Sequence, residues 1–339
     1  MAIGSGLVSP PISSFNTMNA LTTKYLQPIM GDATFIPDMF YREWLREGVK
    51  LESASIPFAV ASSQDTTGGV YYGAQLLNPV ATDNVTPAEQ QWRFYRQPFV
   101  IIETDLLLNY ASNPKGVLNL LTNKMLIGAG SFLMLLQKAT FGDSSQPAGL
   151  RIDDLISWLV TNNNTIAGIN RATTPANNFW LPNGTTYSNM AGATTLPKLI
   201  TAYWNYVGNN LGTDEPQIFV MPPNNYATFE SLFVQNIRYI NEEADKRSVQ
   251  GAIRHKLMFQ NMVCIPSYNL GATSIAAANT GLMINYNYIY PVFFEPLYFN
   301  FRPWLTPTNQ FVMVSYCRLG WNIICVSPQK AGQQVINMS

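Results

Sequence analysis

The chain has 339 residues, with 20 Lys and Arg balanced by 20 Asp and Glu, a single His, 47% hydrophobic residues and only 12% charged ones. Net neutrality excludes a strong electrostatic claim on DNA, RNA or anionic lipid, because such affinity comes from neutralising phosphates. A charge share about half the roughly 25% of soluble domains is too small to solvate a free monomer, so other copies of the chain are expected to cover much of its surface.

The length allows about two domains or lobes around a large core. Charge is scarcest late in the chain: from Leu257 to Ser339 only Glu295, Arg302, Arg318 and Lys330 are ionic. Cys264, Cys317 and Cys325 form an odd set without metal or redox spacing and read as buried small hydrophobes in a reducing compartment. Met1 to Ser14 has neither a basic start nor a sustained apolar run, so no signal peptide is expected there.

In chain order, residues 1–34 are rich in Ser, Pro, Gly and Thr, with Lys24 the only charge before Asp32. They predict an extended arm, and Ile3, Leu7, Val8, Phe15, Leu21, Tyr25 and Leu26 are too apolar for a solvated tail. Asp38 is positioned to cap a short helix that Gly48 ends, with Arg42, Glu43, Arg46 and Glu47 on a solvated face. Ser53 to Ser63 and Gln91 to Glu103 have strand composition, and the loose stretch between them carries Gly68-Gly69, Tyr71-Tyr72-Gly73 and Asn78-Pro79. These predict a long two-stranded arm, which is marginal in water alone and needs a surface to lie on.

A spine helix follows. Asn113 caps it, Pro114 takes its first position and Gly142 ends it. Its longest apolar block, Met125 to Leu136, is interrupted by Gly128 and Gly130 and is shorter than the roughly 20 residues of a membrane span, so a buried helix is expected. A short helix is predicted from Gly149 to Ile156, with Asp153 and Asp154 near its positive end. Ile166 to Gly192 is polar and irregular. A helix over Leu196 to Val207, a buried strand at Gln217 to Met221, and a helix from Asn224 to Phe233 resume the alternation. Leu257 to Ile265, Gly281 to Phe294 and Phe311 to Val326 read as strands.

Catalytic chemistry is poorly represented. His255 lies between Arg254 and Lys256 and reads as part of a solvated basic patch. Asp153 and Asp154 are adjacent on a helix and diverge, while Glu242, Glu243 and Asp245 alternate with Lys246 and Arg247. The sequence contains no zinc-ligand cluster, phosphate-cradling loop, dinucleotide fingerprint or nucleophile elbow. The expectation is therefore a non-enzyme with no catalytic residues, metal or cofactor; a hydrolase built from dispersed carboxylates is the rival from another class. Aromatic residues such as Tyr286, Tyr290, Phe293, Phe294, Tyr298 and Trp304 cluster where charge is absent, the signature of core and subunit interface.

The order of arm, hairpin, spine helix, αβ lobe and late strands resembles the major capsid protein of tailed bacteriophages, the Hong Kong ninety-seven or Johnson fold, an α+β architecture. Three stretches resemble that group in detail: Gly149-Leu150 through Gly168-Ile169-Asn170-Arg171 to Trp180, Ile218-Phe219-Val220-Met221-Pro222 with Tyr226 to Glu230, and Leu319-Gly320-Trp321 through Lys330-Ala331. The resemblance implies an N-arm (1–34), an E-loop (51–104), a P-domain (35–50, 105–200 and 288–328) and an A-domain (201–287 and 329–339). It implies hexamers and pentamers closing an icosahedral virion shell around double-stranded DNA, held without sequence-specific contacts and without a membrane, and assembled in the bacterial cytoplasm. Portal and separate scaffolding proteins, and a decoration protein, are the expected partners. Some members join neighbours through an E-loop lysine, but no lysine lies between Lys50 and Lys115, so a noncovalent shell is expected. Some carry a cleaved helical scaffolding segment, and nothing before Asp38 reads as helical and charged. Candidate interface anchors are Tyr71 and Tyr72 in the hairpin, Arg93 and Arg96 at its base, and Trp304; the alternative for each is a core or solvated position. An encapsulin-like nanocompartment shares the implied fold, and a phage tail or decoration protein is a further alternative.

Overall fold

The computed structural model describes residues 19–20, 22–35, 38–45, 48–61, 85–105, 114–142, 146–147, 149–159, 165–171, 180–182, 195–210, 214–237, 257–267, 269–270, 280–308 and 311–335. Helices are α1 (Gln27–Phe35, preceded by a π-helical turn at Thr22–Leu26), α2 (Met39–Trp44), α3 (Pro114–Phe141), α4 (Leu155–Leu159), α5 (Thr195–Asn209), α6 (Pro223–Ile237) and α7 (Pro328–Ala331). Strands are β1 (Val49–Leu51), β2 (Ile56–Ala61), β3 (Val85–Gln90), β4 (Arg93–Ile102), β5 (Thr165–Ile166), β6 (Ile169–Asn170) and β7 (Ile218–Met221). The later strands are β8 (Met258–Phe259), β9 (Met262–Pro266), β10 (Gly281–Ile284), β11 (Ile289–Phe294), β12 (Asn300–Phe301), β13 (Val312–Cys325) and β14 (Gly332–Val335).

The chain divides into two compact units and passes between them just before α2 and within β4, α3, β11 and β13. The first unit comprises Met1–Asp38, Phe94–Leu136 and Phe293–Trp321. Here β13 pairs with β12, Asn300 opposite Arg318 and Phe301 opposite Cys317, and with β4. Glu103 donates its backbone N–H to Phe311 O at 3.1 Å, and an added Cβ on Gly320 would lie 3.1 Å from the Phe94 ring. These contacts join opposite ends of β4 and β13, so the two strands run antiparallel. One face of β4 presents Phe99 and Ile101 to the core. Phe99 lies against α3 at Gly128, where an added Cβ would come within 2.2 Å of its ring. That glycine is a packing requirement, since any side chain there would displace β4 from the helix.

The predicted extended arm is helical over the part described. Leu26, Met30 and Thr34 recur every four residues and are buried, so one face of the segment is covered. Phe35 packs on Phe293 and Phe299, with ring centroids 6.0 and 5.4 Å away, and Phe299 in turn packs on Phe132 of α3 at 5.8 Å. Pro28 lies two residues after the π-helical turn, inside a continuous helical segment, and Gly31 admits Tyr298 Oη to 3.2 Å of where its Cβ would be. Tertiary packing overrides the weak helix propensity of this segment.

The second unit comprises Met39–Arg93, Gln137–Val292 and Asn322–Ser339. Its main sheet has the order β14-β10-β7-β9-β8. β7 and β9 are parallel, Ile218 opposite Val263, and α6 lies between them in sequence as the crossover a parallel pair requires. Phe219, Met221, Met262, Cys264 and Met283 form a core with Leu199, Tyr203 and Tyr206 of α5 and Phe229 of α6. β8 and β9 are joined by Gln260 and Asn261, both at positive φ (47° and 68°), the backbone of a tight hairpin turn.

The hairpin differs from expectation in its return strand. β2 pairs with β3, from Ile56 opposite Gln90 to Ala61 opposite Val85, and not with β4. β4 carries apolar residues on both faces and joins β13 instead. Glu43 also departs from the predicted solvated face and is buried. Tyr41, one turn along α2 from Leu45, reaches inward to hydrogen-bond Thr140 at 2.6 Å between the two hydroxyls.

By length and composition the stretch Leu120–Phe141 of α3 is long and apolar enough to cross a bilayer. Phe132, Leu136 and Phe141 are nonetheless fully buried within the chain.

Candidate assembly interface

Tyr71 and Tyr72 lie outside the described residues, as does His255. Arg93 is half-buried, and its Nη1 donates to Gly149 O at 2.6 Å, tying β4 to the turn before α4. Arg96 is exposed, with its guanidinium 5.8 Å from the centroid of Tyr316. Trp304 is buried inside the first unit. Its Nε1 donates to Thr22 Oγ1 and its backbone N–H to Asn19 Oδ1, both at 2.9 Å, so within the subunit it clasps the N-terminal helical segment.

Other residues make up the exposed apolar surface. The outward side of β4 presents Phe94, Arg96, Pro98, Val100 and Ile102. On the same sheet, Leu305 bridges Val314. Leu305 is 61% exposed and Phe311, beside Glu103, is 77% exposed. This sheet is therefore apolar on both sides, with α3 covering one. Arg96, Arg302 and Arg318 supply the charge on the other; Arg318 Nη2 donates to Asn300 Oδ1 at 2.9 Å. The sequence signal for this surface was present: Phe94, Val100 and Ile102 alternate with Tyr95, Phe99 and Ile101 along one strand.

The second unit holds the hairpin base by several contacts. Phe58 of β2 packs on Trp180 at 6.4 Å. Gln90 of β3 donates to Asp153, and Trp92 Nε1 donates to Ser53 O at 2.8 Å. Asn322 Nδ2 donates to Gln91 O at 2.8 Å. Behind Trp180, Arg171 lies 5.3 Å from the Trp158 ring centroid and 5.6 Å from that of Trp180, and its Nη1 donates to Ser157 O at 2.8 Å. Burial pushes this guanidinium down to about 10, so it remains charged at neutral pH between two indole faces.

Asp154 caps α4, accepting from the Ser157 N–H at 2.6 Å, while its Oδ2 is buried without a hydrogen-bond partner. Burial raises its carboxyl above the ordinary value of 3.8, against the lowering effect of the Ser157 bonds. The native state therefore holds this proton more tightly than the unfolded chain does. Stability rises as pH falls from the raised native value towards 3.8, and the penalty is fully present above that window. Asp154→Asn keeps a capping acceptor and removes the titration. Its melting temperature is expected to match or exceed the parent's at pH 8, with the parent gaining on it as pH falls towards 4. A parent that loses ground to the variant on acidification would mean the native group is a stabilised carboxylate.

At the end of the chain, Lys330 Nζ pairs with Asp214 Oδ2 at 3.1 Å, and Tyr288 donates to Asp214 Oδ1 at 2.8 Å. Tyr206 donates to Lys330 O. These bonds fix α7 and the entry to β14. The three cysteines are free and buried, and burial pushes the Cys264 thiol up to about 12, so they are inert packing groups. No group of three His, Cys, Asp or Glu side chains suited to a metal occurs among the described residues.

No protein-family model and no curated protein matches the sequence. Solved structures do match by fold. The capsid asymmetric unit of cyanophage A-1(L) superposes with a TM-score of 0.57 at 10% identity, covering 85% of this chain and 89% of that one. The capsid of the native GTA particle gives 0.53 at 13% identity, covering 86% and 89%. The capsid of cyanophage P-SCSP1u gives 0.50 at 16% identity, covering 87% of each. Nearly the whole chain, not a single motif, therefore has the α+β fold of phage capsid subunits, the Johnson fold.

Proposed function

We propose that this chain is a major capsid protein, self-assembling into hexamers and pentamers that close an icosahedral phage head around double-stranded DNA. The observation that carries this reading is the pairing of a phage-capsid fold over 85% of the chain with a sheet whose outer face is apolar and exposed among the described residues. In this reading residues 1–34 act as N-arm, 51–104 as E-loop, the spine helix and late strands as P-domain, and 201–287 with the last residues as A-domain. Net neutrality suits a container that must later release its cargo. Obligate interfaces commonly exceed about 2,000 Å². Repetition in a closed lattice makes weak contacts collectively strong. Portal, scaffolding and decoration proteins, and assembly in the host cytoplasm, belong to the same proposal, as does the absence of enzymatic activity.

Electron microscopy of the expressed chain tests it: closed shells with fivefold and sixfold clusters are expected, and tubes, trimers or dispersed monomers would contradict it. Nucleic acid in particles isolated from infected cells separates a phage head from an enzyme-filled nanocompartment. With no lysine from 51 to 114, boiled shells should run as a single band near 37.8 kDa in a denaturing gel, and a covalent ladder would contradict noncovalent closure. Among the proposed anchors, the double change Tyr71→Ala with Tyr72→Ala should lower shell yield severalfold and leave the subunit's melting temperature unchanged. Unaltered yield would remove both tyrosines from the interface.

A further inference from the structure

The exposed side of α3 carries a pattern that packing among the described residues does not use. Ile127 and Met134 are seven residues apart and exposed, Ile127 at 68%. Leu126 and Leu133 form a second lane at the same spacing, with Leu126 exposed and Leu133 half-buried. Lys124, Ser131 and Lys138 form a third exposed lane, again every seven residues, along the opposite border of the apolar strip. Between the lanes lies Gly130. It is exposed, sits inside a helix where glycine is unfavourable, and an added Cβ there would meet nothing within 4 Å. Gly128, by contrast, is accounted for by the Phe99 ring.

A seven-residue repeat of apolar positions bordered by charge is the surface one helix presents to another crossing at a shallow angle. Gly130 lowers the surface between Ile127 and Met134, so a neighbouring helix could approach the α3 backbone closely. The charge is of one sign: the 28-residue helix contains Lys115, Lys124 and Lys138 and no Asp or Glu. A second α3 packed antiparallel would set lysine against lysine, which disfavours self-pairing.

We propose that this face binds an amphipathic helix of another protein, with an apolar lane over Leu126, Ile127, Gly130 and Met134 and carboxylates beside Lys124 and Lys138. This adds a protein partner to the shell reading and can fail independently of it.

The probes are two labelled synthetic helical peptides of 21 residues with leucines in a heptad seam, one flanked by Glu and the other by Lys. Fluorescence anisotropy with the purified full chain at physiological salt is the readout, and electron microscopy scores shells in the same samples. The Glu peptide should bind at least tenfold more tightly than the Lys peptide. The double variant Ile127→Asp with Met134→Asp should lose at least tenfold in affinity for it. Lys124→Glu with Lys138→Glu should reverse the preference between peptides, and decides the matter if the aspartate variant fails to fold. Carbodiimide should couple Lys124 and Lys138 to the glutamates of the peptide. Equal binding of both peptides, or binding unchanged by these substitutions, would overturn the proposal. So would coupling of Lys124 and Lys138 to carboxylates of a second copy, or binding only to anionic phospholipid vesicles. Shells that ignore both peptides would remove the inference and leave the shell function standing; peptide binding without shells would do the reverse.

Discussion

Gly332→Ala is expected to be among the most damaging single substitutions in the chain. A methyl group at this position would sit 2.4 Å from Met283 O, a backbone atom held in the sheet by its pairing with β14 and β7. Leu159 of α4 closes the same space, with its methyl carbons 3.1 and 3.2 Å away. Neither neighbour can yield: Met283 is fully buried in the core shared by α5 and α6, and Leu159 is 1% exposed. Overpacking of this kind costs about 1–3 kcal/mol when side chains absorb it, and a backbone clash belongs at or above the top of that range. At about 2–4 °C per kcal/mol for a domain of this size, the subunit should melt roughly 6–12 °C lower. Shell yield should fall with it, because β14 is the edge strand that closes the sheet. Gly208→Ala, in α5, is the control: its added Cβ meets nothing, and a helix gains about 0.5–1 kcal/mol from that exchange. Equal melting temperatures for the two variants would mean that β14 does not lie where this packing puts it.

Arg171→Ala should have a comparable effect by another route. Arg171 is 1% exposed and fills the space between Trp158 and Trp180, both fully buried. Truncation leaves a cavity between two indoles, removes two cation–π contacts and takes a donor from Ser157 O. Large-to-alanine changes in cores cost about 3–5 kcal/mol, and each desolvated cation–π contact adds up to about 2 kcal/mol. A loss of about 4 kcal/mol or more is the expected outcome in denaturant titration of the subunit. Because Trp180 also supports Phe58 of β2, the hairpin should become more sensitive to protease than the rest of the chain. Arg171→Lys keeps the charge but not the planar group that lies on both rings, and should fall between the parent and alanine. A lysine variant as stable as the parent would show that charge alone suffices there, and an alanine variant as stable as the parent would show that the stack contributes nothing.

What could be read from the sequence was punctuated by Pro and Gly or patterned by burial. Pro114 and Gly142 bracket α3, and Gly142 does adopt a positive φ of 96°. The apolar run Ile218–Met221 stopped by Pro222 is a buried central strand, as its composition implied. The misses have physical causes. β3 contains Pro87, which removes a ladder donor and disguises a strand that survives because a two-stranded ribbon has only edges. α1 has Pro28 and Gly31 within nine residues, and its helix rests on contacts with Phe293, Tyr298 and Phe299, which are far away in sequence. The turn at Gln260 and Asn261 lacks the glycine that normally marks such hairpins.

The candidate interface was less legible than the fold. Aromatic character identified Trp304, but the indole N–H needs an acceptor, and Thr22 supplies it inside the subunit. Apolar character on both faces of β4 was visible in its alternation, but nothing in the sequence assigned Phe94, Val100, Ile102, Leu305 and Phe311 to the outward side. An apolar residue facing outward and one facing inward look alike in sequence until the strand's partners are known.

One physical claim is central to the proposed function: the apolar outer face of the β4–β13 sheet is covered only when copies of this chain associate. Sedimentation velocity of the purified full-length chain, across a hundredfold range of micromolar concentrations, tests that most directly. Mass should move cooperatively into closed particles of many subunits, and Val100→Asp with Ile102→Asp should return it to a folded 37.8 kDa species. A parent chain that sediments as that single subunit at every concentration, with the sheet face still open to solvent, would contradict it.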